Sequence, residues 1–455
     1  LVEAAGARFL VDCGMFQGRD PYQKNVDALS FAPESIDFVL LSHAHIDHCG
    51  LLPRLCARGF KGAIFATGAT ADLLAIMLAD SAHIQESEAN WLMRHPKLER
   101  RLHPQRRSRA EPLYNVLQAH DCLRQVRDVG YCTAFQPHAN VRCVFHDAGH
   151  ILGSAIIEVW LGQPGAQQKK LVFSGDLGQP GRPVVNDPTP IQHADVLLVE
   201  STYGNRLHRS FQDTVDELVE VIEETIKRRK GNVIVPAFAL GRTQELLFLL
   251  FDLTKQGRLS GLHVFVDSPL ATKVTTITLQ HAASLDAEAK ALLQMQLAGE
   301  SKLPIHFGFT ESVEDSMKLN QIRSGAIIVA ASGMCDAGRV RHHLRHNLHR
   351  TECAILIAGF QAQGTLGRKL VDGAKLVDLF GEQVAVRASV HTLGGLSAHA
   401  DQAALLTWLR HFKRAPPQTF VVHGESETAQ GFADLVRKDL GWNVMAPALG
   451  AAITL

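Results

Sequence analysis

The stretch FVLLSHAHIDHCG, residues 38–50, runs an apolar segment of strand type straight into a histidine-rich loop. His43 and His45 stand two apart just beyond the apolar run, so both imidazoles can point the same way. Asp47 and His48 follow where the chain has begun to turn, and can point elsewhere. One short loop can therefore serve two metal centres. Imidazole nitrogen plus carboxylate oxygen is the ligand set of a catalytic zinc, which keeps one position open for water. A lone histidine is more often a core or surface residue. Three within six residues, interleaved with an aspartate and placed after a strand, read as ligands.

Further ligand candidates lie at the ends of other strand-like runs. Asp12 follows FLV and precedes Gly14. His150 stands in DAGHILGSA, where Gly149 and Gly153 let the backbone turn sharply. Asp176 ends LVFSGD. Taken singly, each could simply cap a turn.

The chain has 455 residues, 46% of them apolar and 20% charged, which suits a globular enzyme of two domains or one domain with an insertion. No apolar run approaches the roughly 18–20 residues of a membrane span. The chain opens at Leu1, without a methionine, inside what reads as a strand pair; further residues are expected to precede it. Eight scattered cysteines with no CxxC pair point to reduced thiols and a cytoplasmic setting. Lys plus Arg and Asp plus Glu each number 46. That balance excludes a surface coated in positive charge but leaves room for a local basic groove.

Residues 1–205 read as short strands and glycine turns, interrupted between 70 and 130 by a helical segment with Leu73, Leu74, Met77 and Leu78 on one face. The basic run RHPKLERRLHPQRRSR (94–109) reads as a solvated loop or, alternatively, a nucleic-acid contact. From 206 to 375 strands alternate with helices. VDELVEVIEETIKRRKG presents Val215, Leu218, Ile222 and Ile226 inward, and RTQELLFLLFDLTKQG stops at Gly257. Such alternation implies a mostly parallel sheet with flanking helices. Short strands and turns return from about 376 to 455.

The ordered set Asp12, HAHIDH (43–48), His150, Asp176 resembles the metallo-β-lactamase superfamily. Glu200 in VLLVESTYGNR, His399 in GGLSAHADQ and His423 in TFVVHGESE, with PAFALGRTQELL, VDSPLA and ASGMCDAGRVRHHL between them, resemble the β-CASP nucleases. That group includes RNase J, the pre-mRNA 3′-end endonuclease and DNA-repair nucleases. The similarity runs from Asp12 to His423. It implies an α/β architecture, a metallo-β-lactamase αββα sandwich (1–205 and 376–455) with an inserted Rossmann-like β-CASP domain (206–375). The catalytic groove would lie between the two. The chain resembles a minimal bacterial form, without the C-terminal domain of RNase J.

The resemblance also implies site roles. His43, His45 and His150 would hold one Zn2+, Asp47, His48 and His423 a second, and Asp176 would bridge them, with Asp12 buttressing the loop. A hydroxide between the metals would be the nucleophile, and a two-metal clamp suits phosphoryl displacement. His399, oriented by Glu200, would serve as the acid. Ser397, Ser332, Gly333, Arg242 and Arg339 are expected phosphate contacts, with a solvated helix face as an equal reading of Arg339 and Arg341. RHHLRHNLHR (341–350) reads as a surface or interface helix. The implied function is a zinc-dependent ribonuclease on single-stranded RNA, endo- or 5′→3′ exonucleolytic. The alternatives are a DNA nuclease or a non-catalytic scaffold of an RNA-processing complex. Homodimer formation is a further implication of the resemblance.

Overall fold

The computed structural model describes residues 1–17, 21–94, 111–163, 168–291, 303–359 and 361–454. Beyond Arg94, the basic run 94–109 lies outside them. The chain forms two compact units, one from Leu1–Pro180, Asn186–Leu207 and His399–Leu455, the other from Gly181–Val185 and His208–Ala398.

The first unit opens with a five-stranded sheet, β1 (Val2–Ala4), β2 (Ala7–Val11), β3 (Phe38–Leu40), β4 (Ala63–Thr67) and β5 (Val126–Val129), in that order. β1 and β2 form an antiparallel hairpin, and the rest run parallel. β6 (Phe135–His138), β7 (Val141–Asp147), β8 (Ala155–Leu161), β9 (Lys169–Phe173) and β10 (Val196–Val199) begin a second sheet. Alternation along the strands decides the layers. Phe9, Phe38 and Leu40 from the first sheet and Phe145, Ile157, Val159 and Phe173 from the second fill one shared core. Phe9 and Phe38 stack with ring centroids 4.7 Å apart. The predicted helical segment is the helix Gly68–Arg94, which buries Leu73, Leu74 and Leu78.

The second unit contains β11 (Val233–Pro236), β12 (Leu262–Asp267), β13 (Ile305–Phe309), β14 (Ala326–Ala330), β15 (Ala354–Ile357), the hairpin β16 (Leu376–Leu379) and β17 (Glu382–Ala385), and β18 (Ser389–Thr392). Six of these make a sheet in the order β13-β12-β14-β11-β15-β18, and every pairing is parallel. VIVP, AIIVA and AILI are buried at every residue, because a parallel sheet is covered on both faces and selects continuous apolar runs. Helices Phe211–Ile222 and Arg242–Lys255 cover one face; Val340–Asn347 and Leu366–Val371 cover the other. The sequence closes this insertion at 375. The structure carries it to Ala398, because β18 pairs in parallel with β15.

The returning chain adds β19 (Gln418–Val421) and β20 (Val444–Met445) to the second sheet, giving β20-β19-β10-β9-β8-β7-β6. Helices Gln402–Leu409 and Ser426–Leu440 pack on its outer face through Leu405, Leu409, Phe432 and Val436. The first unit is therefore helix, sheet, sheet, helix. No helix among the described residues is long and apolar enough to cross a membrane.

Candidate metal centre

Parallel strands deliver their carboxyl ends to one edge, and the candidate ligands sit there. β3 ends at Leu40, and the loop beyond it carries Ser42, His43 and His45 into the one-turn helix Ile46–Cys49, which holds Asp47 and His48. His150 follows β7, Asp176 follows β9, Glu200 follows β10, and His423 follows β19. His399 and Asp401 lead into the helix Gln402–Leu409.

Two ligand sets converge. His43, His45, His150 and Asp176 place one ligand atom each within 4.8 Å of the others, as do Asp47, His48 and His423. Nε2 of His43 lies 3.1 Å from Nδ1 of His45, which lies 3.2 Å from Nε2 of His150. Nε2 of His48 lies 3.1 Å from Nε2 of His423. Asp176, almost fully buried, divides its carboxylate. Oδ2 faces His43 at 3.5 Å and His150 at 3.6 Å, while Oδ1 faces His48 and His423, each at 3.4 Å.

The donor chemistry fits metal ions. Buried Asp176 Oδ1 has no hydrogen-bond partner, and a buried carboxylate oxygen without one is costly unless a cation meets it. Burial, reinforced by neighbouring imidazoles, pushes His43 and His150 well below the ordinary histidine range and His45 down to about 4. These three rings are therefore neutral at pH 7, the form a metal requires. Burial acts in the same direction on His423, but the Asp176 and Asp47 carboxylates outweigh it and raise the ring to about 9. A metal at the second set must displace that proton. The side chains of Asp47 (39% exposed) and His423 (32%) leave the second set open on one side.

Asp12 is the hub of the loop. It takes φ 61°, where Asp is tolerated better than most residues. Its Oδ1 accepts the backbone N–H of Ser42 at 2.7 Å, and its Oδ2 accepts the Ser42 hydroxyl and Nδ1–H of His48, both at 2.7 Å. The His48 tautomer is thereby fixed with Nε2 facing the second set. Glu200 is fully buried and accepts backbone N–H groups from Leu177 (2.8 Å) and Thr202 (3.1 Å). Its Oε1 is 3.2 Å from Nδ1 of His399, whose ring lies 4.4 Å, centroid to centroid, from that of His150. Burial disfavours a charged His399, yet the Glu200 and Asp176 carboxylates overcome it and raise the ring above the ordinary range.

The sequence reading did not single out Ser42 or Thr202. Ser42 Oγ links Asp12 to the loop, and Thr202 Oγ1 lies 3.1 Å from Nδ1 of His423. Ser42 stands next to His43, and Thr202 lies two residues after Glu200 within VLLVESTYGNR; that nearness was the signal.

The remaining candidates belong to the second unit. Ser397 is buried and its carbonyl accepts from Arg182 Nη2 at 3.1 Å. Ser332 and Gly333 follow β14, and the Ala331–Ser332 peptide is cis. Arg242 is buried and paired with Glu245. Arg339 donates to Asp267 at 2.8 Å and to the Glu311 carbonyl at 2.8 Å, so it is neither a free phosphate donor nor a solvated face. The helix Val340–Asn347 also departs from a pure surface reading, because His343 is fully buried with Nε2 2.6 Å from Asp267 Oδ2.

Comparison with known proteins follows the same outline. Residues 1–149 match the metallo-β-lactamase superfamily, 243–370 the β-CASP domain, and 383–447 a Zn-dependent metallo-hydrolase RNA specificity domain. The chain is 35% identical to a ribonuclease of Thermus thermophilus over 94% of its own length and 90% of that protein's. It is 29% identical to an RNase J-like protein of Methanocaldococcus jannaschii, covering 100% and 96%. It is 28% identical to the transcription termination factor FttA of the same archaeon, spanning 66% of that protein's length.

Proposed function

Because the chain belongs to the β-CASP family of metallo-β-lactamase-fold hydrolases, we propose that it is a zinc-dependent ribonuclease that hydrolyses phosphodiester bonds of single-stranded RNA in the cytoplasm. The observation that carries the reading is the divided carboxylate of Asp176, one oxygen toward each histidine set, with the His399–Glu200 pair beside it.

His43, His45 and His150 would hold one ion, Asp47, His48 and His423 the other, with Asp176 shared. Two divalent ions, when bound, supply Lewis acidity to the phosphate and a nucleophile at neutral pH. The protein groups do the rest. Glu200 fixes Nδ1–H of His399 and sustains its charge, leaving Nε2–H to protonate the departing ribose oxygen. The backbone N–H donors of Leu177 and Thr202 hold Glu200 itself in place. Ser397, Ser332 and Gly333 are proposed phosphate contacts, and Arg242 and Arg339, already paired with carboxylates, would shape that surface. A homodimer is part of the same proposal and is read by light scattering.

The test is a time course on 5′-labelled single-stranded RNA and matched DNA with zinc-loaded protein and His399→Ala. Cleavage of RNA alone, reduced about 10²–10⁴-fold in the variant with zinc content unchanged, supports the reading. The ladder separates internal from stepwise terminal cleavage. Equal cleavage of DNA points to a DNA nuclease. No cleavage despite two bound zinc ions points to a scaffold and sinks the proposal.

A further inference from the structure

All eight cysteines are free thiols. Cys13, Cys49, Cys122, Cys143, Cys335 and Cys353 are buried and Cys56 is half-buried, while Cys132 is exposed. Cys132 sits in the turn between β5 and β6 with φ 56°, and its N–H donates to the Phe145 carbonyl at 2.8 Å. That bond pins the turn against β7 and leaves Sγ 3.6 Å from Nδ1 of His146. Nε2 of His146 lies 3.0 Å from Oε2 of Glu158 on β8. Lys170 on β9 pairs with the other Glu158 oxygen. Both Glu158 and Lys170 are almost fully buried.

The protonation pattern follows. Burial opposes charge on Glu158, but hydrogen bonds from His146 and Lys170 outweigh it and hold the carboxyl below its ordinary range. An ionised carboxylate only accepts, so Nε2 of His146 carries the hydrogen and Nδ1 presents its lone pair to the thiol. Thiol, base and orienting acid stand in the order that activates a nucleophile. Glu158 and Lys170 are the charged groups that face the pair, with Arg142 beyond them, 3.8 Å over the Trp160 ring. None of these residues belongs to the two ligand sets.

We propose that Cys132 is a base-assisted reactive thiol that exchanges with low-molecular-weight disulfides. The Sγ proton passes to Nδ1 of His146. The thiolate attacks one sulfur of the disulfide, whose S–S bond breaks. A mixed disulfide forms on Cys132, and the other half leaves as a thiolate that takes up the proton from His146. Cys132 is oxidised and the released half is reduced, so no further oxidant is needed.

The experiment reacts the whole native chain with 5,5′-dithiobis(2-nitrobenzoate) at pH 7 and pH 10, follows the released aryl thiolate, and maps the adduct by mass spectrometry. One thiol per chain is expected to react in a fast phase, at least about threefold faster than glutathione at pH 7. Cys132→Ser removes that phase. His146→Gln slows it about threefold or more at pH 7 and little at pH 10, where ordinary thiols ionise without a neighbouring base. Glu158→Gln falls between, with circular dichroism confirming the fold of each variant. A fast phase that survives Cys132→Ser, a wild-type rate no greater than that of glutathione, or a His146→Gln rate unchanged at pH 7 overturns the proposal.

Discussion

Asp12 shows how much one side chain can decide. It holds no place in either ligand set, yet it accepts three hydrogen bonds that orient Ser42 and His48. Asp12→Asn keeps a residue that tolerates positive φ and removes the acceptor that fixes the His48 tautomer. The expected result is about a tenfold loss of metal affinity with little change in secondary structure, read by competition with a zinc indicator. Asp267 plays the equivalent part in the second unit. Its fully buried carboxylate receives Ser316 and His343 at 2.6 Å and Arg339 at 2.8 Å, and Thr310 as well. Burial works against its charge, but these partners hold the group below the ordinary carboxylate range. A depressed folded pKa contributes stability above the unfolded value of about 4, and that contribution fades as pH falls toward the folded value. Asp267→Asn is therefore expected to cost about 3 kcal/mol at pH 7, with the gap to wild type narrowing below about pH 4 in urea titrations. Asp267 stands in the VDSPLA motif, but nothing local in the sequence says which partners it takes. Thr310 and Ser316 follow β13, Arg339 precedes the helix Val340–Asn347 and His343 lies in it, and the run RHHL gives no hint that one of its rings is buried on a distant carboxylate.

At the scale of elements, the ligand loops lean on one another through bare backbone. A Cβ on Gly178 would lie 1.7 Å from the Gly149 carbonyl oxygen, and one on Gly14 would lie 1.5 Å from that of Asp47. Gly178 also bridges to His399. Gly178→Ala must push the Gly149–His150 turn aside. Zinc content by plasma emission is expected to fall by about half, with the first ligand set, the one that includes His150, losing its ion. An intact complement of metal in that variant would show that the turn yields without consequence. The elements themselves were largely legible, since strands such as AIIEVWL and KLVFSGD are apolar runs bounded by turns, and HAHIDH is dense enough to stand alone. The end of the insertion was not. SVHT, which forms β18, is half-exposed and lacks an apolar run, and only its pairing with distant β15 identifies it as a sheet strand.

At the scale of the whole molecule, each unit keeps its own core, so metal removal should not act evenly. Binding to the native state alone stabilises by about 4 kcal/mol at a thousandfold excess over Kd. A chelator is expected to lower the melting temperature and to speed amide exchange at 41–50, 148–150 and 421–425, while β11, β14 and β15 keep their protection. Uniform acceleration across both units would argue that they unfold as one. The first unit is also assembled from separated stretches of chain, and His399 and His423 belong to the last. A ribosome moving at about 5–20 residues per second must finish the entire second unit before either histidine exists. A growing chain therefore cannot bring Asp47, His48 and His423 together until the codon for His423 has been read, and a message broken ahead of that codon yields a polypeptide in which the second ligand set is incomplete.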